Sequence, residues 1–392
     1  MRTGVTKADI RARIAGAAAE IGAAAWDACA NPAALADPHP FTRYDFFAAL
    51  EETGCASPRT GWQPVHLVVE HDGEIAGILP LYLKSHSQGE YVFDWGWADA
   101  FERAGGDYYP KLQASVPFTP ASGHRLLIAK HAPQEETANA LLAAGAAAVK
   151  ELEASSLHVT FMTEAEWRAA GALGFLQRTD KQFHWHNRGY ATFDEFLGEL
   201  SSSKRKNLRK ERAAVAAEGI EFDWLTARDI TEAHWDQFFA FYMETGSRKW
   251  GTPYLSREFF SQLGARMGEQ VLLVMARRGR RTIAGALNLF GESVLFGRNW
   301  GASEYVPFLH FETCYYQAIE FAIARGLARV EAGAQGEHKL LRGYLPEPTY
   351  SAHFIAHPGL RRAVAAFLTQ ERQAVAQEIE GLAELAPFRK NG

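Results

Sequence analysis

The sequence predicts a mixed α/β protein (α+β, with mixed sheets) built from two tandem halves, on three observations. First, two strand–turn–strand runs share one pattern. His66–Tyr82 and Leu272–Leu289 each give an apolar strand, a charged turn with glycine, and a second apolar strand carrying Ile-Ala-Gly. Second, the elements after each run match in order. An aromatic strand (Tyr91–Trp97; Val294–Trp300) leads to a helix over about 134–153 or 309–325, the latter closed by Gly326. A short strand (Leu157–Phe161; Ala328–Glu331) and an extended segment (Gly174–His186; Gly343–Phe354) complete each copy. Third, no strand runs into a GxGxxG turn, which disfavours a dinucleotide-binding parallel sheet.

The seam between the halves is expected near 185–195, giving domains over 1–190 and 191–392. Thr192 is a fair N-cap there, and the second half carries a helical insert over about 192–267. Within it, 193–218 reads as one amphipathic helix ending at Gly219, 231–244 as a second, and Ser256 caps a third. A last helix over about 358–385 mixes Ala and Leu with Glu and Arg, which places it on the outside.

A chain of 392 residues exceeds one ordinary core. Apolar residues at 47% and charged residues at 22% exclude a largely disordered chain. A net charge of −5 gives no global footprint for nucleic acid or membrane, so any anionic partner must meet a local patch. The three cysteines, Cys29, Cys55 and Cys314, lack CxxC spacing and argue against a disulfide framework or a cysteine zinc site. The Ala-rich stretch Ala15–Ala25 is interrupted by Glu20 and reads as an amphipathic helix rather than a secretory signal. No run of 18 apolar residues appears, so stable membrane insertion is not expected and the cytoplasm is the expected location.

Longer blocks carry a resemblance. Gly61-Trp-Gln-Pro-Val-His66, Pro80–Trp95, Gly105–Lys111 and Val116–Pro120 in the first half resemble the FemAB-like family of peptidoglycan biosynthesis or recognition. So do Phe311–Tyr316, Gly333–Lys339 and Pro348–His353 in the second. The resemblance covers roughly 20–360 and implies two tandem GNAT-like domains with N-acyltransferase activity. It implies no permanently bound cofactor. The co-substrate would be acyl-CoA or aminoacyl-tRNA, and the acceptor a small molecule or peptidoglycan precursor. The pyrophosphate loop of ordinary GNAT enzymes is incomplete here: Asn299–Phe308 offers Gly301 without the rest of the pattern. The same resemblance leaves a non-catalytic muropeptide recognition module as the alternative, and tRNA as a possible partner. Oligomeric state stays open.

Candidate catalytic residues are Glu337, His338 and Lys339, in a Gly-rich turn after a short strand. Glu337 or His338 suits a base on an attacking amine, while Lys339 and Arg342 suit a phosphate or an oxyanion. Gln335 and Arg342 join the substrate-binding set from the same turn, with Arg298, Glu312 and Tyr316 from the second half. In the first half His86, Glu90, Trp97, Asp107, Tyr108 and Lys111 suit a sugar or peptide face. The basic run Lys204, Arg205, Lys206 and Arg209 suits donor phosphates, or is simply a solvated helix face. His184 and His186 share a strand face without a third ligand nearby, so no metal is expected.

Overall fold

The computed structural model of the chain describes residues 9–31, 37–249, 253–333 and 336–389. It divides into two compact units: residues 1–35, 41–180 and 349–373 form unit 1, and 36–40, 181–348 and 374–392 form unit 2. The units therefore are not the contiguous stretches 1–190 and 191–392.

Unit 1 opens with a strand, β1 (Ile10–Ala15), then α1 (Ala18–Ile21) and α2 (Ala23–Ala30). The single helix expected over Ala15–Ala25 is broken because Gly22 sits at φ +85°, ψ 150°, outside the helical region. After α3 (Tyr44–Glu52) and β2 (Trp62–Pro64), β3 (His66–His71) and β4 (Glu74–Leu79) form the expected hairpin. Asp72 and Gly73 both have positive φ at its turn, the backbone twist that tight hairpins favour. Pro80 then separates β4 from β5 (Leu81–Lys84), and the run changes sheets. The strand expected over Tyr91–Trp97 is instead a loop entering α4 (Trp95–Arg103). Trp97, Ala98 and Phe101 recur at helical spacing and pack on Tyr108, so the helical period wins over the strand reading.

Next come β6 (Lys111–Ala114), β7 (Leu127–Ile128), α5 (Gln134–Glu151), β8 (Ser156–Met162) and α6 (Glu164–Ala172). One sheet has the order β1-β3-β4-β7, and β2-β5-β6-β8 run side by side in another. Strand alternation splits the latter sheet into two faces. Leu112, Ala114, Leu157 and Val159 join an apolar core with Leu141, Leu142 and Val149 of α5. Gly145 permits the approach, since a Cβ there would lie 2.8 Å from Leu157 Cδ2. Lys111, Gln113, Ser156, His158 and Thr160 alternate with those positions and are polar, yet equally buried.

Thr163 and Glu166 form a capping box at α6. The buried Glu166 carboxylate also accepts from the backbone N–H of Arg125 at 3.0 Å and Leu126 at 2.9 Å. Burial raises its pKa, but His124 and these N–H donors outweigh that and leave it lowered. A lowered folded pKa adds stability above the unfolded value, which is lost as pH falls. Glu166→Gln is expected to cost about 1–3 kcal/mol at pH 7. The deficit should shrink below about pH 4, read by urea denaturation across pH.

The chain then runs through β9 (Leu176–His186), α7 (Phe193–Glu199), α8 (Ser202–Ala217), β10 (Ile220–Thr226), α9 (Glu232–Lys249) and α10 (Arg257–Met267). The helix expected over 193–218 is two, because Leu200 is extended and bridges Phe388. After them come β11 (Val271–Arg278), β12 (Arg281–Phe290) and β13 (Val294–Ala302). A helix comes next, made of α11 (Leu309–Phe311), a wide π turn at Glu312–Tyr316, and α12 (Gln317–Ala324), and then β14 (Arg329–Glu331). The strands of unit 2 are ordered β10-β11-β12-β13-β14-β9. Gly301 has a packing reason: a Cβ there would lie 2.2 Å from Phe241 of α9.

Finally β15 (Leu345–Ile355) and α13 (Pro358–Glu384) return to unit 1. β15 pairs antiparallel with β8 over Tyr350–Ile355, and Leu360, Val364 and Leu368 of α13 close over Trp97 and Tyr108. That pairing is why 349–373 leaves the second half.

Candidate functional site

In unit 1, alternation along β6 and the turn 85–94 brings four charged groups together. Lys111 Nζ donates to Ser87 Oγ at 2.8 Å, to Glu90 Oε2 at 2.7 Å, and to Asp94 Oδ2. Tyr108 donates its hydroxyl to Asp94 Oδ2 at 2.7 Å. Lys84 Nζ lies 3.9 Å from Glu90 and 3.6 Å over the Trp62 ring. Burial lowers the Lys84 pKa to about 7 and raises that of Glu90 to about 7. Burial also works against the charge on Lys111 and Asp94. Glu90 and Asp94 reverse the effect for Lys111, which ends raised, and Lys111 reverses it for Asp94, which ends well below the carboxylate range.

A histidine pair extends the network. His158 Nδ1 lies 2.7 Å from His353 Nδ1, and His158 Nε2 lies 2.8 Å from Ser156 Oγ. Trp97 stacks on His158 and meets His353 edge-on, with the Arg178 guanidinium 5.2 Å above its ring. Burial lowers His158 to about 3 and His353 well below its usual range, so both rings are neutral at pH 7.

Of the first-half residues expected from sequence, Glu90, Trp97, Tyr108 and Lys111 converge in unit 1. His86 sits at the edge of the cluster: Nδ1 lies 3.5 Å from Lys84 Nζ and accepts from Gln88 N, while Nε2 bonds the Thr60 carbonyl at 3.0 Å. Asp107 is exposed outside the cluster.

In unit 2, α8 turns two side chains onto the π turn. Glu211 accepts from the Tyr316 hydroxyl and from Arg342 Nη2 at 2.8 Å. Arg212 bridges Glu312 and Glu320, with closest contacts of 2.9 and 2.8 Å. The guanidinium of Arg342 also lies 3.4 Å above the Phe311 ring and donates to the His338 carbonyl. His338 Nε2 is 3.0 Å from the Tyr315 hydroxyl. Lys339 is 2% exposed, donates to the Gly333 carbonyl at 2.9 Å, and is lowered by burial to about 7.

Lys339 lies next to the end of a strand, through its bond to the Gly333 carbonyl. β13 pairs in parallel with β14 only over Val294–Phe296 and Arg329–Glu331. β14 ends at Glu331, while β13 continues to Ala302 past a bulge that leaves Arg298 between the pairs Leu287–Asn299 and Asn288–Gly297. Arg298, His338, Lys339, Arg342, Glu312 and Tyr316 thus belong to neighbouring elements of unit 2. Gln335 and the Glu337 side chain lie outside the described residues. Arg342, expected to hold phosphate or an oxyanion, is instead committed to Glu211.

The basic run lies on α8. Lys206 is exposed, Arg205 donates to the Gly198 carbonyl, and Arg209 pairs with Asp194 at 3.1 Å. Lys204 is half-buried. Sequence reading missed Glu211, His158 and His353. The lone acid inside the basic run was the available signal for the first. Histidines at alternate positions of buried strands were the signal for the others. Among the described residues, no group of three or more His, Cys, Asp or Glu could hold a metal, and no helix is long and apolar enough to cross a membrane.

Three solved structures share the fold across most of the chain. The crystal structure of FemX has 12% identity and a TM-score of 0.53, covering 85% of this chain and 96% of that one. A tandem GNAT protein from the clavulanic acid biosynthesis pathway has 13% identity and a TM-score of 0.51, covering 89% and 99%. L-PGS from Bacillus licheniformis has 10% identity and a TM-score of 0.51, covering 85% and 98%. At such identities the likeness is one of fold: this is a mixed α/β chain of tandem GNAT-like parts. No curated protein matches the sequence. The family model that matches, over residues 17–390, is FemAB-like, described as peptidoglycan biosynthesis/recognition.

Proposed function

The chain belongs to the FemAB-like family, and from that premise we propose that it is an N-acyltransferase. It moves an acyl or aminoacyl group from an activated donor to an amine on a peptidoglycan precursor. The observation that carries this reading is the parting of β13 from β14 beside the buried, near-neutral Lys339. An amine attacks the donor carbonyl, a C–N bond forms, and the oxygen gains negative charge. Main-chain N–H groups at the parting receive that oxyanion. The amine proton passes to Lys339, which is uncharged in a large fraction of molecules near pH 7. Collapse of the intermediate expels the donor's thiolate or ribose oxygen, which takes up the proton that Lys339 received from the amine.

For the donor, Gly301 lies inside β13 and the loop 303–308 that leads into α11 holds no glycine to cradle a pyrophosphate, while α8 keeps Lys206 exposed. Both facts favour aminoacyl-tRNA over acyl-CoA.

The test is single-turnover transfer, monitored by mass spectrometry. The purified protein is mixed with a peptidoglycan precursor bearing a free amine, and with either acetyl-CoA or labelled aminoacyl-tRNA. A product one aminoacyl group heavier supports the reading. Precursor binding with no product from either donor would replace it by the recognition-module alternative.

A further inference from the structure

We propose that unit 2 binds a primary alkylammonium ligand in a cavity beside α7, α8 and β10, at a site that requires no step of the transfer reaction. The cavity measures about 600 Å³. One side of it is apolar, with Phe193, Leu197, Val215, Ile220 and Phe222. Its floor is ionic and unbalanced. Arg212 donates through Nε and Nη2 to Glu312 and through Nη1 and Nη2 to Glu320. One guanidinium thus serves two carboxylates: burial raises the Glu312 pKa against the pull of Arg212, and with both carboxylates ionised the floor keeps one net negative charge. The Arg209–Asp194 pair at the rim cancels itself.

The neutral neighbours do not remove it. Gln317 donates to both carboxylates, at 2.9 Å to Glu312 and 3.2 Å to Glu320, and its own oxygen is taken by Trp224 Nε1 at 2.8 Å. Glu312 is 4% exposed at its side chain and Glu320 28%, so Glu320 is the carboxylate open to the cavity. A carboxylate held in a partly enclosed site without a full counter-charge is costly, and a bound cation offsets that cost.

The walls select the form of the cation. An ammonium head is compact enough to reach Glu320, while an unbranched methylene stem lies along the apolar walls. A quaternary ammonium would want an open aromatic face, but Arg212 already lies 4.4 Å over Phe193.

The test uses the full chain and n-pentylamine, with 1-pentanol and pentanoate as matched controls, titrated calorimetrically and by ligand-observed NMR. The amine is expected to bind about tenfold or more tighter than the alcohol, pentanoate weakest, with amine affinity falling as salt is raised. Glu320→Gln should bring the amine down to the alcohol's level. Ala213→Phe adds bulk at an exposed position that lines the cavity, and should abolish binding of all three. Amine affinity equal to that of the alcohol overturns the proposal. So does wild-type amine affinity in Ala213→Phe, which decides the matter if Glu320→Gln fails to fold. Binding is read at equilibrium without any donor, so a failed transfer assay leaves this result standing.

Discussion

Lys111→Met is expected to cost unit 1 about 3–5 kcal/mol at pH 7, the range for breaking a buried ion pair by removing one partner. The substitution is close in volume, so little of the loss comes from packing. The loss comes from Glu90 and Asp94, which are 2% exposed at their side chains and keep only Lys84 as a nearby cation, 3.9 Å from Glu90. Urea denaturation of wild type and variant measures it. The deficit should narrow as pH falls, because protonated carboxyls no longer need a counter-charge. In the wild type, Glu90 is already raised to about 7, and losing Lys111 pushes both carboxyls higher. Adding Asp94→Leu should recover part of the stability, since replacing a buried ionic group by a hydrophobe is often neutral or better. A deficit under about 1 kcal/mol that does not change with pH would mean that the ionic network does not hold this sheet face.

Lys339→Met is expected to do the opposite for stability while removing activity. The folded pKa of Lys339 lies near 7, below that of a free lysine, so the folded state binds fewer protons than the unfolded chain between those values. The wild type therefore carries a penalty that is full below pH 7 and fades as pH rises towards about 10. Methionine removes the penalty. The variant should be more stable than wild type by about 1–3 kcal/mol at pH 6–7, with the gain vanishing in alkali. Transfer should fall by about 100-fold or more, the usual contribution of a positioned base. The wild-type rate should climb as pH rises through about 7, and the variant should lose that limb. A variant that is stabilised yet turns over at the wild-type rate would show that Lys339 is buried for another reason.

Most regular elements were legible because their periods are strong. The two hairpins, the helices at 134 and 309, and the strands around Val159 and Val330 all stand where their alternation or capping residues put them. The readings failed where tertiary contacts compete with local pattern. Tyr91–Trp97 is rich in strand-forming aromatics, but Trp97 and Phe101 are one helical turn apart and find a core to fill. The break at Leu200 depends on Phe388, far along the chain, and no local signal announces it.

The clustering of the candidate residues was legible in part. The blocks around Glu90–Lys111 and His338–Arg342 were singled out, and both lie in buried polar clusters. What sequence could not give was pairing. Arg342 reads as a free cation until Glu211 is found against it, and a basic run reads as one surface until Arg212 turns inward from Arg209. Position on a helix tells which side chains share a face, not which partner neutralises them.

The interleaving of the two units has a consequence for synthesis and for dissection. During vectorial translation, the strand that pairs with β8 emerges only after the whole of 181–348 has been made. Until then, Leu157 and Val159 belong to a sheet whose neighbour is missing, and Trp97 lacks its helical cover. Long sequence separation slows such closure, and an open strand edge in the nascent chain invites mispairing. The same logic bears on cutting the gene: a polypeptide stopped at residue 190 would lack β15 and α13, and should be recovered as aggregate rather than as an independently folded half.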